Sequence, residues 1–469
     1  MDATDTFRVP PGQRQLFLDE IGVQSIDKLV KTLHQPEKKG AVIRSPDPQQ
    51  TIQTRNAPFW APASACYKIW VTSMDNASRQ SVDGLHWVEG EKPVFDLGVS
   101  MVVYDGNDPD PQRRYKAVLL NQGFAVSGDG VHWRKLEVPP IQSQDEGNFT
   151  YNAADGRFIH SLKRSGPYGR SVVVATSTDF EHWDDYGVVF HTDEQDQVLG
   201  REAIAARLAN PTLQQTEFNT PEHYSVQVYN MGVFGYEGIY IGLPSIYHHT
   251  GKVPPEWDGF KSLRLSPYIR ECVEQHGDYT GFYTVQVTCS RDLKYWTRVG
   301  QRRPFIEASP LGAGAYDLQT IIGPSNPVVR GDELWFYYTG IKQYAFITSG
   351  GEEGYDDYVG DKGAVCLAVL RRDGFVSLDA GAEQGRVTTA LLALEGRELW
   401  VNLDAPKGTL VVEVLDANDV LLARSSVFNG DQVRGKLDWE AGDFEALMGQ
   451  VVRLRFMLRD ARLYSYWIE

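Results

Sequence analysis

Apolar residues in this chain fall in short runs of roughly four to eight, rich in Val, Ile, Tyr, Phe and Trp, separated by Asp-Gly, Asn-Gly and Pro-bearing turn signals. That pattern predicts many short strands. One stretch differs. Leu18 to Leu33 (LDEIGVQSIDKLVKTL) spaces Ile21, Ile26, Leu29, Val30 and Leu33 as one short helix would. From about Gly385 the pattern becomes plain alternation, as in Thr409 to Leu415 (TLVVEVL) and Val452 to Phe456 (VRLRF), with Asp416-Ala-Asn-Asp419 as a turn. This predicts a β-sandwich.

A motif recurs through the preceding region. Ser81-Val-Asp-Gly-Leu-His-Trp87, Ser127-Gly-Asp-Gly-Val-His-Trp133, Ser177-Thr-Asp-Phe-Glu-His-Trp183 and Ser290-Arg-Asp-Leu-Lys-Tyr-Trp296 all read S-x-D-x-x-x-W. The first three begin 46 and 50 residues apart, a period suited to one four-stranded propeller blade. An aromatic-rich strand precedes each motif, and a fifth, Leu334-Trp-Phe-Tyr-Tyr338, stands without one. Five blades follow. Asp83, Asp129, Asp179 and Asp292 are read as turn residues that accept backbone N–H groups, and the tryptophans as fillers between sheets. The expected fold is all-β: a lead-in segment over 1–55, a five-bladed propeller over 56–384 and a sandwich over 385–469. The stretches Asp193 to His223 and His249 to Thr280 read as loops inserted around the fourth blade.

Charge and cysteine content narrow the function. A formal net charge of −16, without acidic runs, disfavours a nucleic-acid binder. No run reaches the roughly 18–20 apolar residues of a membrane span, and the first residues lack a leader's pattern. The chain reads as cytoplasmic as written, or periplasmic or secreted if a signal peptide was removed. Cys66, Cys272, Cys289 and Cys366 lie far apart and are read as core thiols.

S-x-D-[LF]-x-x-W after an aromatic strand resembles the five-bladed propellers of invertase-like and arabinanase-like glycoside hydrolases. With the sandwich behind it, the chain is similar to family 32 and to bacterial family 32-like proteins through Leu16-Phe-Leu-Asp19, Asp373-Gly-Phe-Val-Ser-Leu-Asp379 and Leu463-Tyr-Ser-Tyr466. That family's N-D-P-N, R-D-P and E-C motifs have no well-placed counterpart. Asn107-Asp108-Pro109 falls in an inter-strand turn, and Arg270-Glu271-Cys272 in the long insertion. The resemblance implies glycoside cleavage and allows a structural cation on the propeller axis; no other cofactor is expected.

In a propeller the innermost strand of each blade starts at one mouth of the central channel, so a carboxylate just before it projects into a shared funnel. This ranks Asp145 and Asp317 first as the acid pair of a glycosidase, then Asp96 and Glu222. Glu146 also precedes the third inner strand, and Glu237 reads as a turn residue. Trp60, Tyr229, Tyr247, His248 and Arg164 are candidate sugar contacts. The leading expectation is a hydrolase of a terminal, furanosidic or other, sugar from an oligosaccharide or glycoside. The alternatives are an inverting glycoside phosphorylase, with Lys163-Arg164 and Arg170 or Arg201 holding phosphate, and a non-catalytic sugar-binding propeller. The sequence is silent on oligomeric state.

Overall fold

Each of the four repeated motifs closes the turn between the third and fourth strands of a blade, and one set of contacts explains its spacing. The aspartate Oδ1 accepts the N–H of the second and third residues after it, at 2.7–2.9 Å. The serine hydroxyl meets the same oxygen at 2.9–3.1 Å. The turn needs a left-handed residue at its fourth position. Gly84 and Gly130 supply φ of 76° and 82° without strain, whereas Phe180 and Leu293 adopt 66° and compensate by burying their side chains.

The tryptophans then close the ring. Trp133 packs on Trp70 of the first blade, Trp183 stacks on Phe124 of the second and Trp296 meets Phe190 of the third. Trp87 of the first blade packs on Tyr337 of the fifth at 5.8 Å. Each of the first four blades thus covers its predecessor in the ring.

The computed structural model describes residues 6–47, 51–216, 218–258, 267–343 and 361–469. Five antiparallel sheets form the propeller: Phe59–Glu89, Met101–Lys135, Gly147–Phe190, Ser225–Arg298, and a fifth from Thr320–Arg371 completed by Glu37–Arg44. The N-terminal strand pairs antiparallel with Gly363–Arg371 and forms the outer edge of the last blade. Residues early in the chain therefore help close the ring, and a sheet edge that would stand open is covered.

The C-terminal domain is a curled twelve-stranded sheet. It draws strands from residues 15–33 and 376–468, not from 385–469 alone. Val23–Asp27 pairs with Gly385–Thr389, and Val30–Leu33 with Val376–Ala380. The helix expected over Leu18 to Leu33 is therefore two strands, hinged at Lys28 (φ 55°). Pairing to waiting sheet edges outweighs a helical spacing that has no apolar surface to pack on. The reverse happens at Asp193 to His223. There a helix spans Glu194–Leu208, started by a capping box in which Asp193 and Asp196 each accept the other's backbone N–H. Its buried face, Asp196, Gly200, Ile204 and Arg207, holds one large apolar residue, so periodicity did not reveal it. A second helix, Pro267–His276, lies in the other insertion, followed directly by the strand Asp278–Val285. Cys66, Cys289 and Cys366 are buried free thiols; the Cys272 side chain lies outside the described residues.

The inner strand of the fourth blade approaches the backbone of the fifth closely. A Cβ on Gly232 would lie 2.0 Å from the Pro324 carbonyl oxygen and 2.7 Å from Ser325 backbone atoms. Backbone cannot swing aside as a side chain can. Gly232→Ala should destabilise the fold by about 1–3 kcal/mol, measured as a lower urea midpoint at unchanged slope.

Candidate active site at the propeller mouth

The first strand of each blade starts at the mouth, and the second strand ends there. Residues just before a first strand and just after a second strand therefore share one rim. Below that rim, polar bonds tie inner strands together. Asn56 Nδ2 donates to the Val102 carbonyl at 3.2 Å, and Ser325 Oγ to Asn148 Oδ1 at 2.7 Å.

Charge gathers on the side of the third and fourth blades. Asp145 and Glu146 are adjacent and point apart. Glu146 is buried and accepts Arg55 Nε and Nη2 at 2.5 and 2.6 Å, a two-pronged pair from the start of the first blade to the start of the third. Burial alone would lower the Arg55 value, but Glu146 outweighs it and holds the guanidinium above its ordinary range. Asp145 faces solvent, its side chain 68% exposed, with Oδ1 2.5 Å from Lys163 Nζ. Lys163 is buried against the Tyr229 ring, 4.1 Å from its centroid. That burial pushes its ammonium below the ordinary lysine value, against the pull of Asp145 and Glu146.

Arg170 extends the cationic wall. Its Nη1 donates to Gln227 Oε1 at 2.9 Å, and its guanidinium lies 5.6 Å from the Tyr247 ring and 6.0 Å from that of Tyr279. Tyr247 stacks on Tyr283 at 4.8 Å, and Tyr229 meets Tyr283 edge-on at 5.2 Å. The mouth therefore combines one open carboxylate, one locked carboxylate, three cations and a block of tyrosines.

Of the residues singled out from sequence, Asp145, Glu146, Lys163, Arg170, Tyr229 and Tyr247 come together here. The others lie elsewhere. Asp317 is buried, with Oδ2 2.8 Å from Lys38 on the outermost strand of the fifth blade and 2.9 Å from the Tyr338 hydroxyl. Both partners belong to the fifth blade itself. Asp96 is exposed in a separate cleft of about 380 Å³ beside Thr72, Lys92 and Ser100. Glu222 is exposed on a short 3-10 turn, Pro221–His223. Trp60 packs on Tyr67 beside the first-to-second strand turn, which is the opposite end of its blade. His248 is enclosed, stacked on Phe282 at 4.6 Å; burial lowers its value to about 3, so it is neutral.

Arg164 follows Lys163 on the same strand and so faces the other side, reaching Asp185 at 2.7 Å. Arg201 is exposed on the inserted helix. Glu237 is a left-handed turn residue that accepts the Arg14 N–H, and Glu271 is exposed. Asp108 is paired with Lys116 at 2.7 Å. Sequence reasoning passed over Arg55 because it looked for an acid before the first blade's inner strand, and it undervalued Glu146, whose partner is 91 residues away.

Among the described residues, no group of three or more His, Cys, Asp or Glu could hold a metal ion, and no helix is long and apolar enough to cross a membrane.

No family model matches the chain. It is similar to a 1,2-β-oligomannan phosphorylase of Thermoanaerobacter sp. (strain X514), at 26% identity over 121 residues, 24% of this chain and 40% of that protein. The match thus spans two fifths of that relative's length. Among solved structures it is similar to the Bombyx mori GH32 β-fructofuranosidase BmSUC1 (11% identity, TM-score 0.38, 93% of this chain and 94% of that one). An endo-1,4-β-xylanase from Bacteroides thetaiotaomicron VPI-5482 gives 12% identity and a TM-score of 0.39, over 74% of this chain and 97% of that one. A β-1,2-mannobiose phosphorylase from Listeria innocua gives 12% and 0.27, over 81% and 93%. By the pairing of its own strands, the chain is a five-bladed β-propeller joined to a C-terminal β-sandwich.

Proposed function

We propose that the mouth cleaves a glycoside by phosphorolysis, with Asp145 as the acid and Lys163, Arg55 and Arg170 as the cationic wall that receives phosphate. The observation that carries this reading is the charge inventory. Hydrolysis needs two cooperating carboxyls about 5–10 Å apart, whereas here Glu146 is committed to Arg55, and Asp317 to Lys38. Phosphorolysis needs one carboxyl and a site for a dianion. The partial likeness to an oligomannan phosphorylase points the same way and makes a β-1,2-linked mannoside the first substrate to try.

In this scheme a phosphate oxygen attacks the anomeric carbon as the bond to the leaving sugar breaks. The proton of the Asp145 carboxyl moves to the leaving oxygen, and the products are a sugar 1-phosphate and the shortened glycoside. The incoming dianion displaces Asp145 as the partner of Lys163. Released from the ammonium, the carboxylate takes from solvent the proton that it passes to the leaving oxygen. The axial cation that the resemblance allows would find neutral oxygens such as Asn230 Oδ1, and no step is routed through it.

Phosphorus NMR tests the reaction. Turnover that requires phosphate and yields a sugar 1-phosphate is expected; cleavage at an unchanged rate without phosphate would establish hydrolysis instead. The pH profile provides a second check. The depressed Lys163 value means that its charge is lost at lower pH than that of an ordinary lysine. KM for phosphate should therefore rise on an alkaline limb that begins at lower pH than an ordinary lysine would give, and Lys163→Arg should move that limb upward.

A further inference from the structure

A cleft of about 780 Å³ lies far from the mouth, where the fourth repeated motif meets the N-terminal strands of the sandwich. We infer that this junction cleft is a second binding site, for a neutral oligosaccharide, with the Tyr295 ring as its stacking platform. Its size falls within the range of small-molecule sites, and domain junctions are where such sites gather.

Three features select the ligand class. The first is charge. Three carboxylates, Asp19, Glu20 and Asp292, line the cleft with three cations, Lys31, Arg291 and Arg298. Five of the six satisfy one another or the backbone, and Arg298 turns away to Asp196, outside the cleft lining, at 2.6 Å. Arg291 grips Asp19 with two bonds at 2.9 and 3.2 Å, Lys31 meets Glu20 at 2.8 Å, and Asp292 holds its turn. No net field attracts an ion, so phosphates and nucleotides are poor fits. Paired carboxylates and guanidinia still have acceptor and donor positions to offer hydroxyl groups.

The second feature is the open aromatic face. Tyr295 is 80% exposed, and its ring has no ring or hydrogen-bond partner among the described residues. Leu18, Val23 and Val299 provide apolar surface beside it. A flat ring over an apolar floor, rimmed by planar polar groups, suits the two-faced surface of a sugar ring.

The third is strain. Gly300 and Gln301 on the cleft's wall and Arg302 behind them carry φ of 62°, 55° and 62° in succession. Two of them are not glycine, and such backbone persists only when its surroundings over-determine it. Arg302 is pinned by two bonds to Asp193 at 2.5 and 2.7 Å and by Asp196 at 2.8 Å. The turn holds the Gln301 side chain exposed on the cleft wall. Strain is kept where the wall needs a fixed shape.

The choice of a sugar over another neutral ligand rests on the glycoside reading of the mouth. Isothermal titration of the full chain with β-1,2-mannotriose, arabinotriose and 1-kestose tests it. At least one trisaccharide should bind saturably at roughly millimolar Kd in the Asp145→Asn protein, which prevents turnover from obscuring binding. In that background Tyr295→Ala should weaken this binding by about tenfold or more, while Tyr295→Phe stays within about twofold. Unchanged affinity in Tyr295→Ala, or no saturable binding of any trisaccharide up to about 10 mM, overturns the site. A protein that turns over no glycoside yet loses trisaccharide affinity in Tyr295→Ala defeats the mouth chemistry and leaves this site standing.

Discussion

Asp145→Asn is expected to lower kcat by roughly 10²–10⁴-fold, the usual contribution of a positioned proton donor. The fold should be unaffected, because the side chain is 68% exposed and its one ion pair is with Lys163. The amide keeps the carboxyl's shape and loses its proton, so the defect should depend on the leaving group. An aryl glycoside whose phenol departs without protonation should recover most of the lost rate, whereas a sugar leaving group should not. Glu146→Gln provides the contrast. It weakens the clamp on Arg55, so its cost should appear mainly in KM for phosphate. Equal losses for both leaving groups in Asp145→Asn would remove the residue from the acid role.

The largest effect on stability is expected from Asp373→Ala, at about 3–5 kcal/mol, the range for removing one partner of a buried ion pair. Asp373 is fully enclosed where propeller and sandwich meet. It receives Arg14 Nη1 at 2.5 Å, Tyr236 OH at 2.6 Å, Ser465 Oγ at 2.6 Å and Asn402 Nδ2 at 3.3 Å. Arg14 is itself buried, 3.9 Å above the Trp467 ring, and would be left as an uncompensated charge. Burial, with Asp373 beside it, raises the Tyr236 hydroxyl well above its ordinary value, so that group cannot supply the missing anion. Urea unfolding should show the loss, and adding Arg14→Met to Asp373→Ala should restore part of it, because the stranded cation is then gone. A double variant as unstable as the sum of the single ones would deny the coupling.

These two sites differ in how far the sequence reveals them. The Ser-Asp-Trp turns are local: every bond that shapes them joins residues within a few positions, so their spacing carries the whole signal, and four repeats imply blades. The three shared segments around Asp19, Asp373 and Ser465 were visible as motifs, but not their purpose. In the fold they meet at the junction, where Asp19 grips Arg291 and Asp373 receives Ser465. The helical spacing of Leu18 to Leu33 misled because strand pairing is decided by partners more than 300 residues away.

What the chain's order of residues determined by itself is the all-β ring, its turns and its trailing sandwich, because alternation and turn chemistry act between near neighbours. What the tertiary structure alone decided is the charge state of the mouth. Adjacent acids such as Asp145 and Glu146 look alike in sequence. Only the arrival of Arg55 from the first blade and Lys163 from the next strand makes one a buried anchor and leaves the other open to solvent. Asp317, placed before its strand just as Asp145 is, turns to Lys38 because an N-terminal strand completes its blade. A carboxylate's role follows from the cation it meets, and that meeting is a property of the closed ring.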